Sequence, residues 1–265
     1  MTVITLLSDF GLTDSYVAQM KAVVLSTSPN AEIVDISHGI EKHSIAAGSY
    51  ILETTVPFFP AGSVHVAVVD PGVGGDRLPI AIECEQGVVI GPDNGLLARA
   101  ADKLGFQAAY RIANSHFIRD VPSSTFHGRD IFAFAAAGIA AGHRPNEVGP
   151  PLSAIARLDF PEPSFSRELV SFRVLYVDSF GNIVTNISSV DSERFGFRQG
   201  VRVKIVVGKR GSHHVGTITT SYFDIPSHGF GVLRGSQGYL EIALKEASAA
   251  ATLGVKTLDS LEIQF

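Results

Sequence analysis

With 265 residues, 45% hydrophobic and 18% charged, the chain has the profile of a folded protein of one large or two moderate domains. A formal net charge of −5 and the lack of a basic run argue against nucleic acid, whose phosphates would need neutralising. The single cysteine, Cys84, excludes an intramolecular disulfide and a cysteine-based zinc cluster, and no run of about 18 apolar residues is present to span a bilayer. The opening MTVITLLSDF carries no basic n-region, so the expectation is a cytoplasmic protein without a signal peptide.

Val3–Leu7 reads as a buried strand that runs into the polar loop SDFGLTDS, where Thr13 or Asp14 can cap a helix over Tyr16–Thr27. Ile33–Ile36 is a second strand, and Ser44 can cap a helix from Ile45 to Thr55, stopped by Pro57. Next comes Val64–Arg77, VHVAVVDPGVGGDR: an apolar run that ends at Asp70 and loops through glycines to Arg77. Asp70 and Arg77 on one loop are either an ordinary surface ion pair or part of a site. Ile80–Glu83 and Val88–Ile90 read as an antiparallel pair, and a helix follows at Leu96–Leu104. Pro122–Ala141 reads as one strong helix capped by Ser123, Ser124 or Thr125, with His127 at or near its start.

The alternation of short strands and amphipathic helices predicts an α/β domain over 1–160, with a mostly parallel sheet flanked by helices. A Pro-rich linker occupies 161–168. From 169 to 265 the texture is short strands at Leu169–Val177, Ile183–Asn186, Val201–Val207, Val215–Thr219, Gly231–Leu233 and Tyr239–Leu244, with no helical run. That predicts an all-β barrel domain.

The polar loops gather the candidate chemistry. If SDFGLTDS, VDPGVGGDR and STFHGRD converge at the carboxyl edge of the sheet, they bring together Asp9, Asp14, Asp70, Arg77 and His127. An Asp carboxylate can accept from both hydroxyls of a ribose diol. In VDSFGNIVTN, Asp178 and Asn182 share a glycine turn, and an Asn amide can match an adenine edge; Phe126 or Phe180 could stack on a base. SDFGLTDS also bears a superficial similarity to the calcium loop of nucleoside hydrolases. However, it lacks the closely spaced acids such an ion wants, and Arg77 would oppose a divalent cation, so no metal is expected.

On the stretches SDFGLTDSYVAQMK, VDISHGI, FFPAGSVHVAVVDPGVGGDR, GPDNGLL, TFHGRDIFA, EVGPPL, VDSFGNIVTNI and GSQGYLEIA, the chain resembles the S-adenosyl-L-methionine (SAM) hydrolases, or SAM hydroxide adenosyltransferases. These are relatives of the enzymes that displace methionine from SAM with halide. The resemblance implies an α/β domain followed by a β-barrel, no cofactor, and a homotrimer with sites between subunits. It places the catalytic triad on Asp70, Arg77 and His127. It puts the ribose acid on Asp9, with Asp14 near the methionine end, Phe126 and Gly128 at the reacting centre, and Asp178 on the methionine amine. Asn182 and Tyr222 fall beside adenine, Ser236 near the methionine carboxylate, and Glu246 offers backbone contacts where Gln237 and Leu244 replace two arginines of the halogenases. Those relatives carry Tyr at the position of Asp70, Ser at that of Gly128 and Trp at that of His43; the first two departures favour water over halide.

The implied reaction gives adenosine and methionine by in-line attack of water on ribose C5′. His127 is the expected proton acceptor, with Asp70 as the alternative. A SAM or adenosine binding module with slow turnover is the second reading, and a metal-dependent nucleoside hydrolase the third.

Overall fold

The computed structural model describes residues 2–208 and 212–265. The chain divides into two compact units that meet in sequence at Leu158 and Asp159.

The first unit holds a six-stranded mixed sheet in the order β2-β1-β3-β5-β4-β6. The strands are β1 (Val3–Ser8), β2 (Glu32–Ser37), β3 (Ser63–Val68), β4 (Pro79–Cys84), β5 (Gly87–Pro92) and β6 (Phe106–Arg111). β1, β2, β3 and β5 run parallel, while β4 is antiparallel to both neighbours. All six positions of β3 are buried, as expected of a central strand covered on both faces. Val64, Val66 and Val68 pack into a core with Met20, Val23 and Val24 of helix α1 (Tyr16–Thr27) and with Ala135, Ala136 and Ile139 of helix α4 (Phe134–Ala140). Val69 and Leu7 instead meet Gly48 of helix α2 (Ile45–Thr55), where a Cβ would stand 3.0 Å from Val69. Helix α3 (Ala98–Lys103) follows β5.

Two expectations change here. The Ser15 side chain, at the cap of α1, makes no capping bond and accepts from Gln19 Nε2 instead. The helix expected over 122–141 begins only at Gly128, as a π-type segment (Gly128–Ala133) that continues into α4. Its candidate caps are spent inside the preceding loop, where Ser123 Oγ accepts from Thr125 N and Ser123 N donates to Asp130. π-type turns within helices frequently mark functional sites.

The second unit is an antiparallel-rich barrel with β8 (Leu169–Val177), β9 (Ile183–Ser188), β10 (Arg202–Val207), β11 (Ser212–Ile218), β12 (Phe230–Arg234), β13 (Tyr239–Ala243) and β14 (Ser260–Gln264). Pairing of β14 with β8 closes the seven strands, and the two-residue β7 (Ser164–Phe165) adds outside β8. Leu261 and Ile263 of β14 alternate into the barrel core. The expected absence of helix is overturned by α5 (Ser189–Arg194) and α6 (Ala249–Leu253). Each is opened by a serine, Ser188 or Ser248, that accepts a backbone N–H of the first turn. Neither reaches two full turns, so neither builds a readable helical period.

Candidate active site

β3 carries its apolar run through Val69 to Asp70, and Pro71-Gly72-Val73-Gly74-Gly75 then turns the chain back to Arg77. Gly74 has φ 77, and a Cβ there would lie 2.5 Å from the Ser124 carbonyl oxygen. Only glycine lets this loop close on the segment that carries His127.

Arg77 is the middle member of the triad. Its Nε donates to both Asp70 oxygens at 3.0 Å, and its Nη2 donates to Asp70 Oδ2 and lies 2.7 Å from His127 Nδ1. The Asp70 and Arg77 side chains are 5% and 9% exposed, so the pair is desolvated and removal of either partner strands a buried charge. The guanidinium also lies over the Phe132 ring, 5.4 Å from its centroid. Arginine has only donors to offer, so His127 Nδ1 must accept and the neutral ring carries its proton on Nε2. Burial, and then the Arg77 charge, lower the His127 pKa below its ordinary 6.5, against a weaker opposing pull from Asp70 and Asp130. In this arrangement His127 is a neutral donor at Nε2. That departs from its expected role as proton acceptor.

Asp130 is a residue whose part the sequence does not reveal. Fully buried, it accepts from Arg119 Nη1, from Arg129 Nε and Nη2, and from Ser123 N. Arg129 in turn donates to Gln19 on α1 and lies 5.1 Å from the Phe126 centroid. These bonds fix the loop on either side of His127. An acid at the head of an apolar helix, with arginines at 119 and 129, is the only signal in the sequence.

Phe126, 8% exposed, sets its ring against Phe10 and Tyr16 at centroid distances of 5.7 and 5.2 Å. Gly128 is buried, and a Cβ would meet Phe126, Met20 and Phe10 at 3.2–3.4 Å. Asp9 is 6% exposed; its Oδ2 accepts from His43 N at 2.9 Å, and its carbonyl accepts from Lys42 Nζ. Asp14 lies exposed in the bend before α1 and shares none of these bonds. Among the described residues no group of three His, Cys, Asp or Glu side chains is placed to hold a metal ion.

In the second unit, Asp178, Asn182, Tyr222 and Glu246 line a cleft of about 650 Å³ together with Phe180 and Leu244. Asp178 Oδ1 accepts from the N–H groups of Phe180 and Asn182 at 2.9 and 2.8 Å, and Oδ2 accepts from Asn182 Nδ2 at 2.9 Å. Because a carboxylate only accepts, this bond fixes which end of the Asn182 amide is nitrogen. Tyr222 donates its hydroxyl to Glu241, a 6%-exposed carboxylate absent from the expected set. Burial, then that bond and charge, push the Tyr222 hydroxyl pKa up, and burial likewise raises Glu241. A Cβ at Gly235 would fall 1.9 Å from Glu241 Oε1, so a side chain here would push the carboxylate from its place beside Tyr222. Ser236, next in the β12–β13 turn, is exposed and does not line the cleft. Glu246 has φ 55 within the turn closed by the Leu244–Ala247 bridge. A larger groove on the barrel, about 1120 Å³, is lined by Arg173, His213, Leu258 and Glu262 among others and holds none of the expected residues.

Comparison with known proteins bears on both units. Residues 4–149 match the SAM hydroxide adenosyltransferase N-terminal domain, and residues 172–262 match its C-terminal domain. An (R)-S-adenosyl-L-methionine hydrolase of Methanocaldococcus jannaschii is 37% identical, over 100% of this chain and 97% of its own. A fluorinase of Actinoplanes sp. is 29% identical over 96% of this chain and 94% of its own. The crystal structure of an uncharacterized conserved protein from Thermotoga maritima superposes with a TM-score of 0.92 at 33% identity, covering 99% of this chain and 100% of that one. Among the described residues no helix is long and apolar enough to cross a membrane. The chain belongs to the SAM hydroxide adenosyltransferase family.

Proposed function

We propose that the protein hydrolyses SAM to adenosine and L-methionine, with water attacking ribose C5′ in line with the departing thioether. The observation that carries this reading is the Asp70–Arg77–His127 cluster, a buried cation joined to a carboxylate on one side and a neutral imidazole on the other. Methionine leaves a sulfonium as a neutral molecule, so no general acid is needed. The demand falls on the nucleophile, since water must be oriented and lose a proton as the C–O bond forms. His127 Nε2–H and the Arg77 charge stabilise negative charge growing on the water oxygen. His127 Nδ1 is already engaged by Arg77, so the proton goes to Asp70, whose carboxylate has lone-pair capacity beyond its arginine bonds. The triad needs no metal or cofactor in this scheme. Asp70 and Gly128, standing where the halogenating relatives hold Tyr and Ser, fit water as the nucleophile.

Asp9 takes the ribose hydroxyls, with Asp14 towards the methionine end and Phe126 against the reacting carbon. In the barrel cleft Asp178 takes the methionine amine, Asn182 and Tyr222 take adenine, and the Glu246 backbone adds contacts, while Ser236, outside the cleft, is assigned to the methionine carboxylate on the family resemblance alone. The triad set lacks an adenine-reading amide and the cleft lacks the triad. The family resemblance supports a homotrimer, working in the cytoplasm, in which residues from two subunits share each SAM.

The test is purified protein with excess SAM, followed by chromatography over many turnovers. Continued, equal release of adenosine and methionine, unaffected by EDTA, is expected. Release that stops at one equivalent supports a binding module instead, and loss with EDTA restored by calcium supports the metal-dependent nucleoside hydrolase.

A further inference from the structure

The loop that carries Asp9 rests on a buried imidazole. β1 ends at Ser8, which is fully buried, and Ser8 Oγ lies 2.7 Å from His38 Nδ1. The same Oγ accepts from Phe10 N at 3.3 Å, so its hydrogen is free to go to Nδ1. The His38 carbonyl accepts from Gly11 N at 2.7 Å. One residue therefore anchors the loop twice, once through Ser8 and once through its own backbone. His38 Nε2 stands 3.1 Å from Asp35 Oδ1, out of line for a hydrogen bond, and Asp35 Oδ2 pairs with Lys21 Nζ at 2.6 Å. This arrangement depends on a register slip between β1 and β2, where Leu6 faces Asp35 but Leu7 faces Ser37. The slip advances β2 so that His38 arrives beside Ser8.

His38 is 5% exposed and lies beneath the loop, so it acts through what it holds. Asp9 and Phe10 are the two residues between its anchors, and Asp9 carries the carboxylate. We propose that His38 is a positioning residue for ribose recognition, fixing the 8–11 loop so that the Asp9 carboxylate meets a vicinal diol. This rests on the reading above that Asp9 takes the ribose. A carboxylate accepting from two hydroxyls at once tolerates little angular drift, and its own Oδ2 already has a backbone partner in His43 N.

The experiment is calorimetric titration of the full-length protein with adenosine and with 2′,3′-dideoxyadenosine, which lacks the diol. Wild type should prefer adenosine. In H38L the ratio of the two Kd values should fall about fivefold or more, the scale of one lost hydrogen bond, mainly through weaker adenosine binding. H38N, whose amide oxygen can accept from Ser8 at the place of Nδ1, should keep the ratio within about twofold. S8A, which removes one oxygen, should behave as H38L does and serves if H38L does not fold. A merely structural lesion lowers the fraction of competent sites and leaves the ratio of Kd values unchanged. An unchanged ratio in H38L or S8A overturns the proposal, and so does an H38N variant as impaired as H38L. A wild-type protein with no preference for adenosine contradicts the role given to Asp9, and this inference falls with it.

Discussion

The two residue sets differ in charge. In the first unit a buried arginine lies between an acid and a histidine, each bonded to it. In the barrel the cleft is lined by Asp178 and Glu246 with Glu241 bonded to its Tyr222, and among the described residues no cationic side chain lines it. A cation in a desolvated cluster is suited to stabilising charge that develops during a reaction. An acidic cleft that fixes its own Asn amide is suited to holding a ligand that carries positive charge and an adenine edge. On the proposed reading the triad carries the chemistry and the barrel cleft holds adenine and the methionine amine, while Asp9 of the first unit takes the ribose; variants of the triad and of the cleft should separate along that line.

The largest effects test the first half of the division. Asp70→Ala, Arg77→Ala and His127→Ala should each lower turnover about 10²–10⁴-fold while SAM binding, measured by calorimetry, persists. Smaller losses, with the weight on KM, are expected from the cleft. Asn182→Ala and Asp178→Ala should raise KM about 10–100-fold with kcat changed much less. A kcat loss in these equal to that of the triad variants would break the comparison. Co-expression of Asp70→Ala with Asn182→Ala sharpens it. If subunits share each site, mixed oligomers contain some sites with both sets intact, so at SAM below the raised KM of Asn182→Ala part of the activity returns. No recovery would show that each site is completed within one chain.

The pH profile is a milder probe. With the His127 pKa below 6.5 and the neutral ring as the working form, the midpoint of the decline in kcat/KM on the acid side should lie below pH 6.5. A decline already half complete at 6.5 or above would contradict the neutral, Arg77-bonded ring. The smallest effect is on stability. His65, buried beside Thr5, has its pKa lowered to about 4 by burial. The unfolded chain takes up this proton near 6.5 and the folded chain does not, so stability is full above 6.5 and is lost as pH falls toward 4. Between pH 7 and 5 this amounts to about 2 kcal/mol. Denaturant titrations should show His65→Asn losing less stability by that amount over the same range.

The sequence revealed elements whose pattern is long and local. α1 and β3 are fixed by their own apolar spacing, and the Pro-Gly loop after β3 announces a carboxylate and an arginine near one another. β6 and β14 were not legible: FQAAYR is mostly exposed or half-buried, and SLEIQ acquires its meaning only by closing the barrel onto β8. The start of the His127 helix is not legible in the sequence because Asp130 claims the Ser123 N–H, a choice made by tertiary contact. Buried polar partners such as His38, Asp130 and Glu241 escaped for the same reason. Their roles depend on which groups from distant segments they meet.

The claim that water attacks C5′ is tested most directly by running the reaction in oxygen-18 water and locating the label by mass spectrometry. Adenosine carrying one oxygen-18 at its 5′-hydroxyl beside unlabelled methionine is the expected result. Unlabelled adenosine, or adenine released with label on the ribose C1′, would contradict it.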